Sequence, residues 1–403
     1  MTNFSNIRPP SIRSIMRSRA LKAAVKALRG IEEPKMRGKT KHPSWQSALI
    51  CAVSMMAGGD FAKDAASFAA RNRGRLAKAF GKEGWLPPSY PTLLRSLHAL
   101  APHSAEVESA LLRLLGGPAA GHCQIDGKLI RATRDGLKDN SAVDVVELRI
   151  GGRIAMSVPC GPGSKEASEN AAIMSILKAM GGEIKRSGGV LTIDGIAAKR
   201  AVASELSRLG IPFAIVIKNE GRGLGEAIAD NFRAYGGELV GRLRSSAVGG
   251  RAEERGYYVL PSMGWVWRIY GGKPWEGVGG AGMGVRGPTD RRTGKATRQV
   301  RCCILSEGLG LRRFAEARAE HWGIEAFHWL VDNSFREDRC RFGRGRPESA
   351  GLLSAIRKKA CEIILELVEE GEAMSEARRE MAHLPFSKLL YVFSGLAARR
   401  EKA

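Results

Sequence analysis

The sequence predicts an α/β domain that carries a mainly β insertion and follows a small helical domain. Three observations support this. From Cys123 to Ile217 the apolar pattern runs β-β-β-α-β-α-β, with helices returning to a largely apolar sheet. At Gly116-Gly117-Pro118 helical spacing gives way to short strand-like runs. Residues 221–306 then break the alternation with a stretch rich in Gly and Arg.

Residues 1–43 read as a basic arm, with Arg13, Arg17, Arg19, Lys22, Lys26 and Arg29 against only Glu32 and Glu33. After Pro9-Pro10, Ser11 to Arg29 can form a basic helix, either solvated or in contact with DNA. In residues 44–117, Trp45, Leu49, Ile50, Val53 and Met56 recur at helical spacing, and Asp60 to Phe80 continues the helical pattern. Pro87-Pro88-Ser89-Tyr90-Pro91 breaks the run, Leu93, Leu94, Leu97 and Leu100 start another stripe, and Val107 to Leu115 a third. These helices are expected to pack on one another, and their spacing by itself points to no ligand.

The α/β domain is expected from residues 118–220 and 307–370. Cys123-Gln124-Ile125-Asp126 is its first strand, Val143 to Ile150 its second and Arg153 to Val158 its third, the last two joined by a tight Gly151-Gly152 turn. Asn170 to Met180 has helical composition, with Ile173, Ile176, Leu177 and Met180 inward. Val190 to Asp194 reads as a buried central strand, Ala197 to Leu209 as a helix and Pro212 to Ile217 as a strand. Within the insertion, Gly256 to Leu260, Trp265 to Ile269 and Thr297 to Leu305 look like strands. An alternating strand puts Trp265 and Trp267 on one face, where they pack inside the insertion or, with Trp275, stack on an unpaired base. Ser349 to Leu367 forms a closing helix, and residues 371–403 are a charged tail expected to fray, with Leu389 to Leu396 the part that would pack.

At 403 residues the chain can bury a substantial core, and 44% hydrophobic with 26% charged residues is the composition of a soluble globular protein. Its 64 Lys and Arg outnumber 41 Asp and Glu, for a net charge of +23. Such a field attracts phosphate backbones through counterion release. With no basic amphipathic helix of broad apolar face, nucleic acid is favoured over a membrane surface. Seven cysteines without a Cys-x-x-Cys pair indicate neither a disulfide framework nor a zinc site, and point to a reducing interior. No apolar run reaches the roughly 18 residues of a membrane span.

The chain is organised around Arg318 to Arg341. Leu311 to Trp329 has no Pro and is rich in Ala, Leu, Arg and Glu, so a helix is expected. Spacings of three and four then put Arg318, His321, Trp322, Glu325, His328, Trp329 and Asp332 along one face. That mixture suits an anionic ligand held by metal; the alternative is an amphipathic helix with Trp322, Phe327 and Trp329 in the core. Asp126 and Asp194 end two apolar strands, where a side chain can enter a cleft at the sheet edge. Both are also Asp-Gly pairs, which form turns. With Glu325 they could hold two Mg2+ ions, for which Mn2+ could substitute, in an in-line phosphoryl displacement. Lys128, on the same face as Asp126, either meets a phosphate or neutralises that acid.

Gln124-Ile125-Asp126-Gly127-Lys128, Leu191-Thr192-Ile193-Asp194-Gly195 and His321-Trp322-Gly323-Ile324-Glu325 together resemble the three landmarks of the H-repeat-associated group of DDE insertion-sequence transposases. The likeness runs from about Leu28 to Leu367 and is strongest at the last landmark, where His328-Trp329, Asp332, Phe335 and Glu337-Asp338 also have counterparts. Gly250-Arg251-Ala252-Glu253-Glu254-Arg255 and Trp275-Glu276-Gly277 are smaller echoes. The resemblance implies a ribonuclease-H-like catalytic domain, with Asp126, Asp194 and Glu325 as its catalytic, metal-binding triad. Arg318, His321 and Lys218, which would otherwise be structural, are then phosphate contacts, with Lys128 and Arg251 as further DNA-binding candidates. The implied partners are the double-stranded DNA of element ends and target, bound by a homodimer in the bacterial nucleoid. Ala326, Lys199 and Glu220-Gly221 depart from the family pattern without touching the three acids. The rival readings are a decayed copy that only binds DNA and a structure-selective nuclease.

Overall fold

In the computed structural model the described residues are 9–33, 40–134, 142–161, 165–194, 200–217, 223–235, 241–247, 252–289, 299–369 and 371–395. The N-terminal part is helical: α1 (Ile12–Met16), α2 (Arg19–Gly30), α3 (Ser44–Met56), α4 (Ala62–Arg71), α5 (Arg73–Phe80), α6 (Tyr90–Leu100) and α7 (Ser104–Leu112). Local chemistry sets the ends. The proline-rich break becomes the start of α6, where Ser89 Oγ accepts from Thr92 N and Pro91 occupies the first turn. Within the expected basic arm, α1 and α2 belong to this core. Helix α2 buries Leu21, Ala24, Val25 and Leu28 while Lys22, Lys26 and Arg29 stay exposed, so its amphipathic pattern outweighs its charge.

The rest of the chain follows as β1 (Gly121–Ile130), β2 (Val143–Ile150), β3 (Arg153–Pro159), α8 (Lys165–Arg186), β4 (Gly188–Ile193), α9 (Arg200–Leu209), β5 (Phe213–Ile217) and α10 (Leu224–Tyr235). Next come β6 (Gly241–Ala247), β7 (Ala252–Leu260), α11 (Gly264–Tyr270), β8 (Val278–Thr289), β9 (Gln299–Ser306), α12 (Leu311–Phe335), α13 (Pro347–Leu365), α14 (Met374–His383) and α15 (Phe386–Phe393).

All nine strands form one mixed sheet in the order β3-β2-β1-β4-β5-β9-β8-β7-β6. Strands β1, β2 and β3 are antiparallel, and β1, β4 and β5 run parallel. The residues expected as a separate insertion continue this sheet, because β9 pairs with β5, Ile215 opposite Ile304. Cys302 and Ile304 are buried on one face, Cys303 and Leu305 on the other, as a central strand requires. Helices α8 to α11 cover the first face with Ile176, Leu206, Ile228 and Val266; α12 covers the second with Phe314, Ala315 and Ala317. Further along, Phe327, Val331 and Phe335 of α12 enter the helical core, so one helix belongs to both parts.

Two expectations need correction. Trp265 to Ile269 is not a strand but α11, which buries Val266 and ends at Gly271 with φ 70°. The alternation Trp-Val-Trp also fits one helical turn around a central buried valine. The two indoles therefore do not share a strand face: Trp265 is exposed, whereas Trp267 packs on the core beneath α10 and α11. In the tail expected to fray, α14 and α15 form and bury Met381 and Phe386 as well as Leu389, Leu390 and Val392 of the part expected to pack, beside α3 and α13. Its charge misled because one cation is internal. Arg378 donates to the carbonyls of Met55 and Gly59 and pairs with Asp60 at 2.8 Å.

Helix α13 carries more buried charge. Lys359 and Glu362 face β3: Glu362 accepts from Ile154 N at 2.5 Å and from Lys359 Nζ at 2.7 Å, and Lys359 also reaches the Ile154 carbonyl. From α7, Glu108 accepts from Ser157 N at 2.6 Å and Ser157 Oγ at 2.9 Å. Strand β3 is a sheet edge, and these carboxylates satisfy backbone groups that no further strand meets. Among the described residues no helix is long and apolar enough to cross a membrane. Replacing Glu362 with Leu strands Lys359 and the Ile154 N–H. It should lower unfolding stability by roughly 3–5 kcal/mol in urea titrations, with E362Q losing less.

Candidate active site

The pairing of β1 with β4 sets the site. Gln124 lies beside Thr192 and Ile125 beside Ile193 in parallel register, so the next residues, Asp126 and Asp194, follow on neighbouring chains roughly 4.8 Å apart. The pleat then assigns faces. Cys123, Ile125, Leu191 and Ile193 enter the core under α8 and α9, which sends Gln124, Asp126, Lys128, Thr192 and Asp194 to the side of α12. Glu147 of β2 stands opposite Asp126.

Helix α12 crosses this row. His321 Nδ1 shares a 2.8 Å hydrogen bond with Thr192 Oγ1. About two turns on, His328 Nε2 bonds Glu147 Oε2 at 3.0 Å, and its Nδ1 lies 3.6 Å from Asp126 Oδ2, beyond a hydrogen bond. Glu147 Oε1 in turn meets Lys358 Nζ of α13. From the other side, Arg301 of β9 approaches Asp194 Oδ1 at 3.3 Å. Glu325, between the two histidines, is exposed.

Charge follows from this packing. Burial pushes the Asp126 carboxyl up to about 6; His328 opposes the rise, Asp194 adds to it, the Gly127 amide opposes it and Glu325 adds to it. The three acids are thus close enough to act on one of their number. Burial takes His321 down to about 3, helped by the Arg318 guanidinium, and burial likewise lowers His328, with Asp126 pulling the other way. Burial thus disfavours the charged form of both imidazoles, and His328, hydrogen-bonded to Glu147, stands beside Asp126 as a polar neighbour rather than as a hydrogen-bond donor to it.

No family model and no curated protein matches the chain. Among solved structures it is similar to the cryo-EM structure of piggyBac transposase synaptic complex with hairpin DNA. The identity is 11%, the TM-score 0.41, and the match covers 97% of this chain and 81% of that chain.

The site gathers some expected residues and reassigns others. Lys128 does not reach out to a phosphate: its ammonium is buried, 2.5 Å from Asp332 and 3.3 Å from Glu337, because the α12 side of β1 is covered there. His321 is no cationic phosphate contact either, being buried and neutral on Thr192. Trp329 is 66% exposed, so it is not core, whereas Phe327 is. Arg318 is buried toward β7 to β9. Lys218 and Arg251 lie outside the described residues. Sequence reasoning missed Glu147, Lys358 and Arg301. The signal for Glu147 was a carboxylate set between Val146 and Leu148, in the apolar centre of the strand.

Among the described residues no three His, Cys, Asp or Glu side chains stand ready to hold a metal ion. The donor chemistry nonetheless fits one: Asp126, Asp194 and Glu325 offer hard carboxylate oxygens, and the like charges that raise Asp126 are what a cation relieves. Because the folded-state value of Asp126 exceeds the ordinary 3.8, the folded chain holds its proton longer than the unfolded chain, and metal-free stability falls as pH rises from about 4 to about 6. In chelator, D126N should therefore raise stability by up to about 3 kcal/mol at pH 7.5 and by little at pH 4, read from urea midpoints.

Proposed function

We propose that the chain is a metal-dependent DNA transposase of the DDE type, related to the H-repeat-associated insertion-sequence group, which binds element ends, cuts strands and joins them to a target. The observation that carries this reading is the pair Asp126 and Asp194, side by side just past the last paired residues of parallel β1 and β4 and beneath a helix that bears Glu325. The order β3-β2-β1-β4-β5, three antiparallel strands followed by two parallel ones, also supports a ribonuclease-H-like core. Asp126, Asp194 and Glu325 would hold Mg2+, which when bound supplies an activated water or 3′-hydroxyl and charge relief for the leaving oxygen.

The chain's own residues do the rest. His328, fixed by Glu147 and Lys358, supports the orientation of Asp126. Arg301 occupies Asp194 until a stronger cation competes. The net charge of +23 and the exposed Lys22, Lys26 and Arg29 of α2 supply the sequence-independent hold on duplex DNA. A homodimer on two DNA ends in the bacterial nucleoid belongs to the same proposal.

The ion pair of Arg301 with Asp194 also favours the rival, a DNA-binding protein without chemistry, and strand transfer by the purified wild type excludes that rival. With a plasmid carrying the DNA that flanks the coding region, E325Q should lower magnesium-dependent cleavage by about 100-fold or more while leaving DNA affinity nearly intact. Full activity in that variant overturns the assignment.

A further inference from the structure

Next to the acids, α12 and the strands β7 to β9 enclose a second recess, lined chiefly by Arg255, Tyr257, Arg286, Arg301, Arg318 and Trp322. No acid lines it. Two of its donors are buried and unmet: Arg318 is 5% exposed with Nη1 lacking a hydrogen-bond partner, and Tyr257 is 4% exposed with Oη lacking one. Native interiors seldom leave such donors unpaired, a charged one least of all.

Size and geometry restrict what could answer them. The free space is about 30 Å³. A water needs roughly 10–15 Å³, so one or two oxygen atoms fit and a base does not. Trp322 is no open platform, since Arg286 lies 4.4 Å and Arg255 5.6 Å from its ring centre. The indole instead holds guanidinium groups in place. Arg301 links the recess to the acids, reaching Asp194 from its rim.

We propose that this recess binds a phosphodiester group of the nucleic-acid strand whose neighbouring bond lies at Asp126 and Asp194. Converging guanidinium and phenol donors match the non-bridging oxygens of a phosphate and favour a charged oxygen over the neutral one of a water. The inference rests on the reading of strand DNA as substrate and names the group that positions it. Free phosphate or pyrophosphate carries the same oxygens, so the test separates the sources.

Full-length protein in EDTA is titrated with a short dye-labelled oligothymidylate at several salt concentrations, by fluorescence anisotropy. R286Q should weaken binding about tenfold and lower the slope of log affinity on log salt by about one, with R286K restoring the slope. Y257F removes a hydroxyl and no charge, so it should weaken binding a few-fold at unchanged slope. Wild-type affinity in Y257F would mean that only the general positive field is at work, and the proposal fails. It fails too if both variants keep strand affinity yet lose calorimetric binding of inorganic phosphate or pyrophosphate, which assigns the recess to a free anion. Because no metal is present, this measurement is independent of whether the wild type cleaves DNA.

Discussion

The parallel pairing of β1 with β4 is the constraint on which the candidate site depends. Its register, Ile125 beside Ile193, is enforced by burial: both isoleucines sit under α8 and α9, and a slip of one residue would turn one strand's apolar set outward. The acids that follow are carried along by that requirement. They stand together because their apolar neighbours must, and the same register brings Thr192 under His321 and fixes where α12 crosses.

A second layer of control comes from buried charge. Helix α13 brings Lys358 to Glu147, Glu147 holds His328, and His328 lies against Asp126. A few residues along, Lys359 and Glu362 tie the edge strand β3 to the helical core. The C-terminal helices thus form part of the support beneath the acids. Ionic groups in such a place contribute little net stability when intact and cost much when one partner is removed. That asymmetry makes them suited to fixing geometry.

Much of this was legible from residues alone where one signal dominated. The strands carrying Asp126 and Asp194 were readable because an apolar run meets a carboxylate in each, although β1 does not end at Asp126 but continues to Ile130 against β2, and α12 was readable because nothing in Leu311 to Trp329 interrupts a helix. Trp265 to Ile269 was misread because five residues with two aromatics satisfy two periods, and contact with α10 decided between them. The tail was misread because Arg378 counted as solvated, although its guanidinium closes carbonyls inside the helical core. Lys128 and His321 looked like phosphate ligands because charge type is visible in a sequence and burial is not.

What the sequence determined by itself is therefore chemical and local: a strongly basic chain, an α/β order after helices, and three acids that interrupt two apolar runs and a helix. Tertiary structure decided which charges meet. It paired Lys128 with Asp332, set Arg301 on Asp194, and brought Arg255, Tyr257, Arg286 and Arg301 from three strands to Arg318 and Trp322 of α12. The physical reason is that propensity and periodicity act over a few residues, whereas the partner of a buried charge is chosen by packing between distant segments, which no local pattern encodes.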